Sequence, residues 1–424
     1  MMGLRQKNSN RLPFTFWKLW SASSLTNLGD GISGVALPLL AAQLTHDPFL
    51  VTATELARFL PLPFFSLFIG VFLDRFDRKQ AKIGADLVRF VLYGFLALML
   101  FLGWANLYLL YGIAFLVGIA EMVADSASPI MVRHLVAKEH LERAYGRIYT
   151  GMLAADSFIG PPMGGWLFAS LNSLPFLVHG FLLFISAALI STFKQNFRVK
   201  ESPSSQSIWD KTREGLGFLW SSPLLRTLAL TTGLIHLVNR SVFAIFVLYA
   251  LETLGLGEAE YGLLSTAFGI GGIVGSLIAS NISRYLGRGP TLLTMLVVIN
   301  LAYIGLALTS SFYMAWILVF LLAGAIIIWG IVNTALRQLI VPDELLGRVG
   351  GAQQFLGAGA TPLGSLLGGI VAKIFGLSAP FWLAGSVAFG AFLWARLIIR
   401  EKVIQQALQS VVVLDNTNSQ KLKQ

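Results

Sequence analysis

Gly70-Val71-Phe72-Leu73-Asp74-Arg75-Phe76-Asp77-Arg78-Lys79 packs five charges into the six residues from Asp74 to Lys79, in a chain where charge is scarce. Mostly apolar runs adjoin it on both sides, near 50–73 and 81–103. Each is long enough to cross the ~30 Å of a bilayer's hydrocarbon as a helix, which takes about 20 residues. A short basic cluster between two such runs resists translocation, so it reads as a tight turn on the side where Lys and Arg accumulate.

Outward from this turn the same arrangement repeats. The chain is 55% hydrophobic and only 12% charged, whereas a soluble domain carries about a quarter charged residues. That balance excludes a water-soluble globule. Spans are predicted near 14–43, 50–73, 81–103, 107–133, 144–169, 174–193, 223–251, 260–284, 290–309, 312–337, 347–375 and 379–400, about twelve helices. The polar start, Met1 to Pro13, precedes an apolar segment longer than a signal-peptide core and without a small-residue cleavage site, so the first helix is read as retained. With no Cys, disulfides and thiolate metal sites are excluded.

A net charge of +10 would suit nucleic acid if it lay on one soluble face. Instead the basic residues fall in alternate connections: the N-terminus, 74–82, 133–147, 194–226, Arg284 and Arg288, Arg337 and Arg348, and 396–402. The connections near His46, Asn106, Asn172, Glu252 to Glu260, Ser310 and Gly376 hold no Lys or Arg. This positive-inside pattern predicts a multi-pass protein of a cell (inner) membrane with both termini cytoplasmic.

The longest connection contains Glu201-Ser-Pro-Ser-Ser-Gln-Ser207 and falls near the midpoint. It predicts a bundle of six helices over 1–193, a cytoplasmic linker over 194–222, a second six-helix bundle over 223–400 and a cytoplasmic tail over 401–424. Within the linker, Ile208 to Trp220 reads either as an amphipathic surface helix or as a plain tether. The halves echo each other: Arg133 to Leu141 aligns with Arg337 to Leu345, and Gly164-Gly165 with Gly368-Gly369, at a constant offset of 204 positions. Tandem repeats related by an axis along the membrane normal are a known transporter plan, with substrate bound at mid-membrane. The fold class is therefore an all-α membrane protein of two pseudo-symmetric bundles.

The turn at Gly70, Asp74, Arg75, Asp77, Arg78 and Lys79 resembles the GxxxDRxGRK loop of the major facilitator superfamily, at the place where that superfamily carries it. Asp77 replaces the usual Gly, as is common among macrolide and siderophore exporters. On the fifth predicted helix, Gly160-Pro161-Pro162-Met163-Gly164-Gly165 resembles the GPxxGG motif that separates antiporters from symporters. Glycines there permit close helix approach, and prolines bend the helix. The likeness is strongest to the macrolide-efflux and enterobactin-exporter branch of proton-coupled drug antiporters. It implies a gating role for the loop, a cavity lined by the first, fourth, seventh and tenth helices, and outward-facing third, sixth, ninth and twelfth helices.

An ionisable residue at the centre of a spanning helix costs about 2.5–3.5 kcal/mol on insertion scales, so it tends to be kept for a pathway or a partner. Asp30 lies in the first predicted helix among Asn27, Gly29, Gly31 and Gly34, which read as a locally loose stretch. Glu121 and Asp125 in the fourth are four apart and share a face, where like charges resist simultaneous ionisation. These three are the candidate proton carriers. His236, Asn239 and Arg240 in the seventh are candidate charge partners or substrate contacts, with Arg240 expected to neutralise Glu121 or Asp30, or to receive an anionic group. The third, ninth and twelfth helices read as having no mid-depth charge, and the fourth lacks the Arg that many drug antiporters carry.

No Gly-Lys pair exists for a phosphate-cradling loop, and no HExxH motif occurs. The sequence reads as a transporter rather than an enzyme: an exporter of small amphipathic molecules in exchange for protons. The rival readings are a symporter or lipid flippase on the same fold, or a membrane sensor without turnover. The expected partners are membrane lipids, a small-molecule substrate and protons, with no nucleic acid, metal or other cofactor, on a monomer.

Overall fold

The computed structural model describes residues 12–65, 69, 76–137, 140–195, 197 and 208–399. All regular secondary structure among them is helical. In chain order the elements are α1 (Phe14–Leu44), α2 (Pro48–Phe59), α3 (Arg78–Phe101), α4 (Leu107–Leu135), α5 (Leu141–Met152), a π-helical stretch (Leu153–Ile159), α6 (Gly160–Ser170), α7 (Leu174–Ser191), α8 (Ile208–Ser221), α9 (Pro223–Leu248) with a second π-helical stretch (Tyr249–Thr253), α10 (Glu258–Leu286), α11 (Arg288–Leu308), α12 (Phe312–Ile340), α13 (Asp343–Phe375) and α14 (Ala379–Ile398). Among the described residues nine helices are long and apolar enough to cross a bilayer. The chain is a multi-pass membrane protein. The tail 401–424 and most of 194–207 lie outside the described residues, as do Gly70, Asp74 and Arg75.

Helix starts are written in the sequence. Asp47 accepts a hydrogen bond from the Phe49 amide ahead of Pro48, Asn106 accepts one from the Leu109 amide, and Asp77 caps α3. These side chains satisfy amide groups that a helix start leaves without partners. Gly287 and Gly376, at φ 88° and 92°, turn the chain between α10 and α11 and between α13 and α14 in a region that L side chains rarely adopt. The second part of the linker is α8, packed on α13: Gly215 lies against the Arg348 carbonyl, Glu214 pairs with the Arg348 guanidinium, and Leu219 is buried.

The helices form two compact units, Met1–Ala36 with Phe64–Glu201 and Leu37–Pro63 with Ser202–Gln424. Leu37–Pro63 thus packs with the residues after the linker. Large apolar side chains are exposed along helix faces, including Val91, Phe181, Leu277, Leu301 and Leu397, each at least 60% exposed. Surfaces of this kind are stable against lipid, not water.

Each unit contains a glycine seam. In the first, a Cβ on Gly160 would strike Gly31, and one on Gly164 the Ile32 carbonyl, so α6 lies backbone to backbone on α1. In the second, a Cβ on Gly364 would strike the Leu237 carbonyl and one on Gly368 the Ser241 carbonyl, so α13 lies equally close to α9. Gly160 and Gly364, like Gly164 and Gly368, are separated by the repeat offset of 204 read from the sequence. Pro161 and Pro162 start α6 directly after the π-helical stretch, where two missing N–H donors weaken the α-helical ladder.

Gly368→Val should destabilise the folded protein by about 1–3 kcal/mol through overpacking. Gly390→Ala, at a position with open space around it, should be neutral or slightly stabilising. Thermal unfolding midpoints of the two variants in one detergent check this.

Candidate functional site

The first unit buries a chain of ionised and polar side chains. Lys82, Asp86, Arg89 and Tyr93 recur on one face of α3, and all four are buried. The Arg89 guanidinium, with 0% of its side chain exposed, pairs with the Asp30 carboxylate of α1. His179 of α7 brings Nε2 to 3.4 Å from the same carboxylate. Its ring lies 4.3 Å from the Tyr93 ring, and the Tyr93 hydroxyl donates to Ser33 Oγ at 3.3 Å. One turn back along α3, Asp86 is paired with Lys82 at 3.4 Å and accepts from Ser186 Oγ at 2.9 Å, while Thr26 donates to Ser186.

Glycine makes this possible at one position above all. A Cβ on Gly29 would run into the His179 imidazole, so only glycine lets the ring reach Asp30. Gly31 likewise admits the Asp156 carbonyl. Gly29 and Gly31 therefore serve close approach within an unbroken α-helix, which corrects the expectation of a locally loose stretch; Gly34 has open space beside it.

Glu121 is half-buried on α4 and Asp125 is exposed. Arg89 feels the charge of Glu121 as well as those of Asp30 and Asp86, and Asp125 lies within electrostatic reach of Glu121, Asp30, Arg89 and Lys82. Of the three candidate proton carriers, Asp30 meets the Arg89 guanidinium directly, and Glu121 and Asp125 of α4 lie within electrostatic reach of it. That guanidinium sits on the third spanning helix, which the sequence analysis read as free of mid-depth charge and facing outward. Lys82 and Asp86 look like the first turns after the loop when α3 is started near 81. The signal was the spacing 82, 86, 89, 93, a helical stripe of polar residues that no outward-facing helix can afford in lipid.

The described part of the charged turn acts as a clamp. Asp77 Oδ1 accepts from the Lys79 and Gln80 amides at 2.7 and 3.4 Å, and Oδ2 accepts from the Phe197 amide at 3.1 Å. Arg78 donates to the Phe197 carbonyl at 3.3 Å and Lys79 Nζ to the Phe193 carbonyl at 2.5 Å. Asp at 77, where Gly is usual, supplies both a helix cap and a tie to the chain leaving α7. Gly would supply neither.

In the second unit Arg240 of α9 pairs with Glu55 of α2 at 3.5 Å, not with Glu121 or Asp30 as expected. Its guanidinium lies over the rings of Phe59 and Phe243, 5.3 and 5.9 Å from their centroids. His236 is exposed. Asn239 is committed to packing, donating to the Tyr303 hydroxyl at 3.3 Å. Trp329 and Asn333 of α12 both donate to Thr232 Oγ1, at 3.1 and 2.9 Å. At the start of α2, Asp47 accepts from Lys373 Nζ at 2.6 Å. Lys373 stands in the last turn of α13, beside a connection read as free of Lys and Arg.

Bundled spanning helices with paired glycine seams are the architecture of a membrane transporter of the major facilitator fold. Residues 12–422 match the MFS_3 family, described as transmembrane secretion effector, and the chain belongs to that family. It is 27% identical over 377 residues to the multidrug efflux pump Tap of Mycolicibacterium fortuitum, covering 85% of this chain and 90% of that protein. It is 23% identical over 390 residues to macrolide efflux protein A of Streptococcus pyogenes, covering 89% and 94%. Among solved structures it is similar to a bacterial homologue of the iron transporter ferroportin, with a TM-score of 0.73 at 16% identity over 90% of this chain and 97% of that one. The nucleoside transporter NupG gives a TM-score of 0.74 at 11% identity over 90% and 99%. At these identities the structures speak for the fold alone.

Arg89→Ala should cost about 3–5 kcal/mol, because it leaves Asp30 buried without its counter-charge, and the double variant Asp30→Asn with Arg89→Met should recover much of that loss. Unfolding midpoints of the single and double variants test the pairing. Near the helix start, the Lys373 hydrogen bond holds the Asp47 carboxyl below its ordinary value of 3.8. A depressed folded value contributes stability above the unfolded value and loses it as pH falls through the folded one. The stability difference between wild type and Asp47→Asn should therefore be constant above about pH 5 and shrink below about pH 4, as read from unfolding midpoints across pH.

Proposed function

We propose that this protein exports small amphipathic molecules from the cytoplasm in exchange for external protons, by alternating access across an inner membrane with both termini cytoplasmic. The observation that carries the reading is the buried Arg89–Asp30 pair with Glu121 and Asp125 within electrostatic reach, in a chain whose relatives are named efflux pumps. A carboxylate beside a fixed guanidinium holds a proton only when the guanidinium finds another anion. Here several carboxylates compete for one cation, so a proton arriving at one of them redistributes the pairing among the rest. In this reading Asp30 and Glu121 alternate as the partner of Arg89, and Asp125, the exposed member, passes protons to and from water.

The clamp made by Asp77, Arg78 and Lys79, with Gly70, Asp74 and Arg75 beside it in sequence, restrains the start of α3 against the chain leaving α7 during the transport cycle. The Gly160-Pro161-Pro162-Met163-Gly164-Gly165 segment supplies the close seam on which α1 is carried. In this reading Arg240 and His236 of α9 are the candidate substrate contacts, His236 exposed and Arg240 partly so. The working unit in this reading is the monomer.

Everted membrane vesicles carrying the protein, energised to an acidic interior, should release protons when a transported macrolide or dye is added. Asp30→Asn should reduce that release to the level of vesicles lacking the protein. Because Asp30→Asn also removes the counter-charge of Arg89, Glu121→Gln serves as the second variant. A correctly inserted wild type that exports substrate with no proton release refutes the coupling, and one that moves no substrate refutes export.

A further inference from the structure

His179 is fully buried in the first unit, yet the exchange described above gives it no task. An ionisable side chain inside hydrocarbon is kept for a partner or a pathway, and the surroundings of this imidazole suit its protonated form. Nε2 lies 3.4 Å from Asp30 Oδ1, the same oxygen that receives Arg89 Nη2. The Tyr93 ring, 4.3 Å from the imidazole between centroids, adds an aromatic neighbour that attracts a cation more than a neutral ring. Tyr93 is itself held by its hydrogen bond to Ser33 and by Phe176, stacked on it at 6.2 Å. Only glycine at position 29 leaves room for the ring to reach Asp30.

Arg89 does not saturate its own site. It donates to Asp30 through Nη2, and among the described residues its buried Nε and Nη1 have no hydrogen-bond partner. Donors buried in this way are costly, so the guanidinium has capacity for a second anion. After Asp30, the charge that acts on it most strongly is that of Glu121. When Arg89 turns to Glu121 it keeps a counter-charge, whereas Asp30 needs a new one. Lys82 is engaged by Asp86 at 3.4 Å. His179 is already beside Asp30. The cluster as a whole favours proton uptake, because Asp30, Asp86, Glu121 and Asp125 outnumber Lys82 and Arg89. Behind α7, α6 brings no charged side chain, and Asp156 of the π-helical stretch before it accepts from Ser157 at 3.2 Å.

We propose that His179 stores the exchanged proton, receiving it through Asp30, and serves as the counter-ion of Asp30 whenever Arg89 is turned to Glu121. This rests on the proton-exchange reading, which it deepens by naming where the proton is held. The step moves a single proton: Asp30 Oδ1 accepts it, passes it to the Nε2 lone pair and returns to carboxylate beside an imidazolium. Release runs in reverse, and no other bond changes.

Two measurements on the full-length protein test this. In lipid nanodiscs, ring-labelled histidine is followed by NMR, with the His179 signal identified by its loss in His179→Gln. That signal should change from imidazole to imidazolium as pH falls from about 8 to about 5. Glu121→Gln does not touch the ring but removes the second partner of Arg89, so it should lower the imidazolium fraction severalfold at the midpoint pH of wild type. A His179 that stays neutral throughout, or a fraction unmoved by Glu121→Gln, overturns the proposal. In everted vesicles, His179→Gln keeps a donor toward Asp30 but stores no proton. It should lose at least about tenfold in proton-driven erythromycin accumulation while retaining erythromycin counterflow, which needs no net proton movement. Accumulation at the wild-type level, or loss of both activities in the folded variant, assigns the ring to packing alone. A wild type whose His179 titrates but which accumulates erythromycin without moving protons refutes the exchange reading and leaves the protonation site standing; proton exchange with His179 always neutral does the reverse.

Discussion

A guanidinium with none of its surface exposed must meet a carboxylate, and Arg89 meets Asp30. In a bilayer this pairing is an organising constraint, because neither group can turn to water without carrying its helix along. It fixes which face of α3 points inward, and with it the whole stripe of Lys82, Asp86 and Tyr93. It brings α7 close through His179, which in turn requires Gly29 on α1. Three helices that share no sequence neighbourhood are placed by one ion pair and the small residue that makes room for it. The pair need not add net stability over an apolar substitute. What it adds is registry: only one rotation of α3 neutralises all of its charges.

The glycine seams supply the other half of the geometry. An apolar helix in lipid gains nothing from burying more apolar surface, so helices associate through close van der Waals packing where small residues let backbones meet. The seam of α6 on α1 and that of α13 on α9 use glycines at equivalent places in the repeat. Both support the helix that bears an intramembrane charge. Gly31 and Gly160 meet one residue beyond Asp30, and Gly364 lies against Arg240 itself. In each unit the seam thus lies beside a charged residue, although Asp30 and Arg240 do not occupy corresponding positions at that offset.

An all-helical membrane fold was legible because length and hydropathy act locally along the chain. Asp30, Glu121 and Arg240 were legible because each is an isolated cost. Their partners were not. Arg89 stands 59 residues from Asp30 and Arg240 stands 185 from Glu55, and nothing local specifies which cation meets which carboxylate. The third helix was misread for a subtler reason: its charges follow the basic loop so closely that they pass for its continuation. Reading period, not position, would have set Lys82, Asp86, Arg89 and Tyr93 on one face. Asp77 looked like a departure from a motif, whereas an Asp directly before a helix start is the ordinary way to cap one, and the structure uses it so.

Arg89 and Arg240 hold their charge differently. Arg89 is sealed, its pair with Asp30 flanked by His179 and within reach of further acidic charge. Arg240 is half open, at 3.5 Å from one carboxylate and supported on two aromatic rings. The aromatic support matters because ring faces do not discriminate among soft cations of similar size, whereas a bidentate carboxylate fork selects a guanidinium. The sealed pair sets the register of α1 on α3, and the half-open one joins α2 to α9.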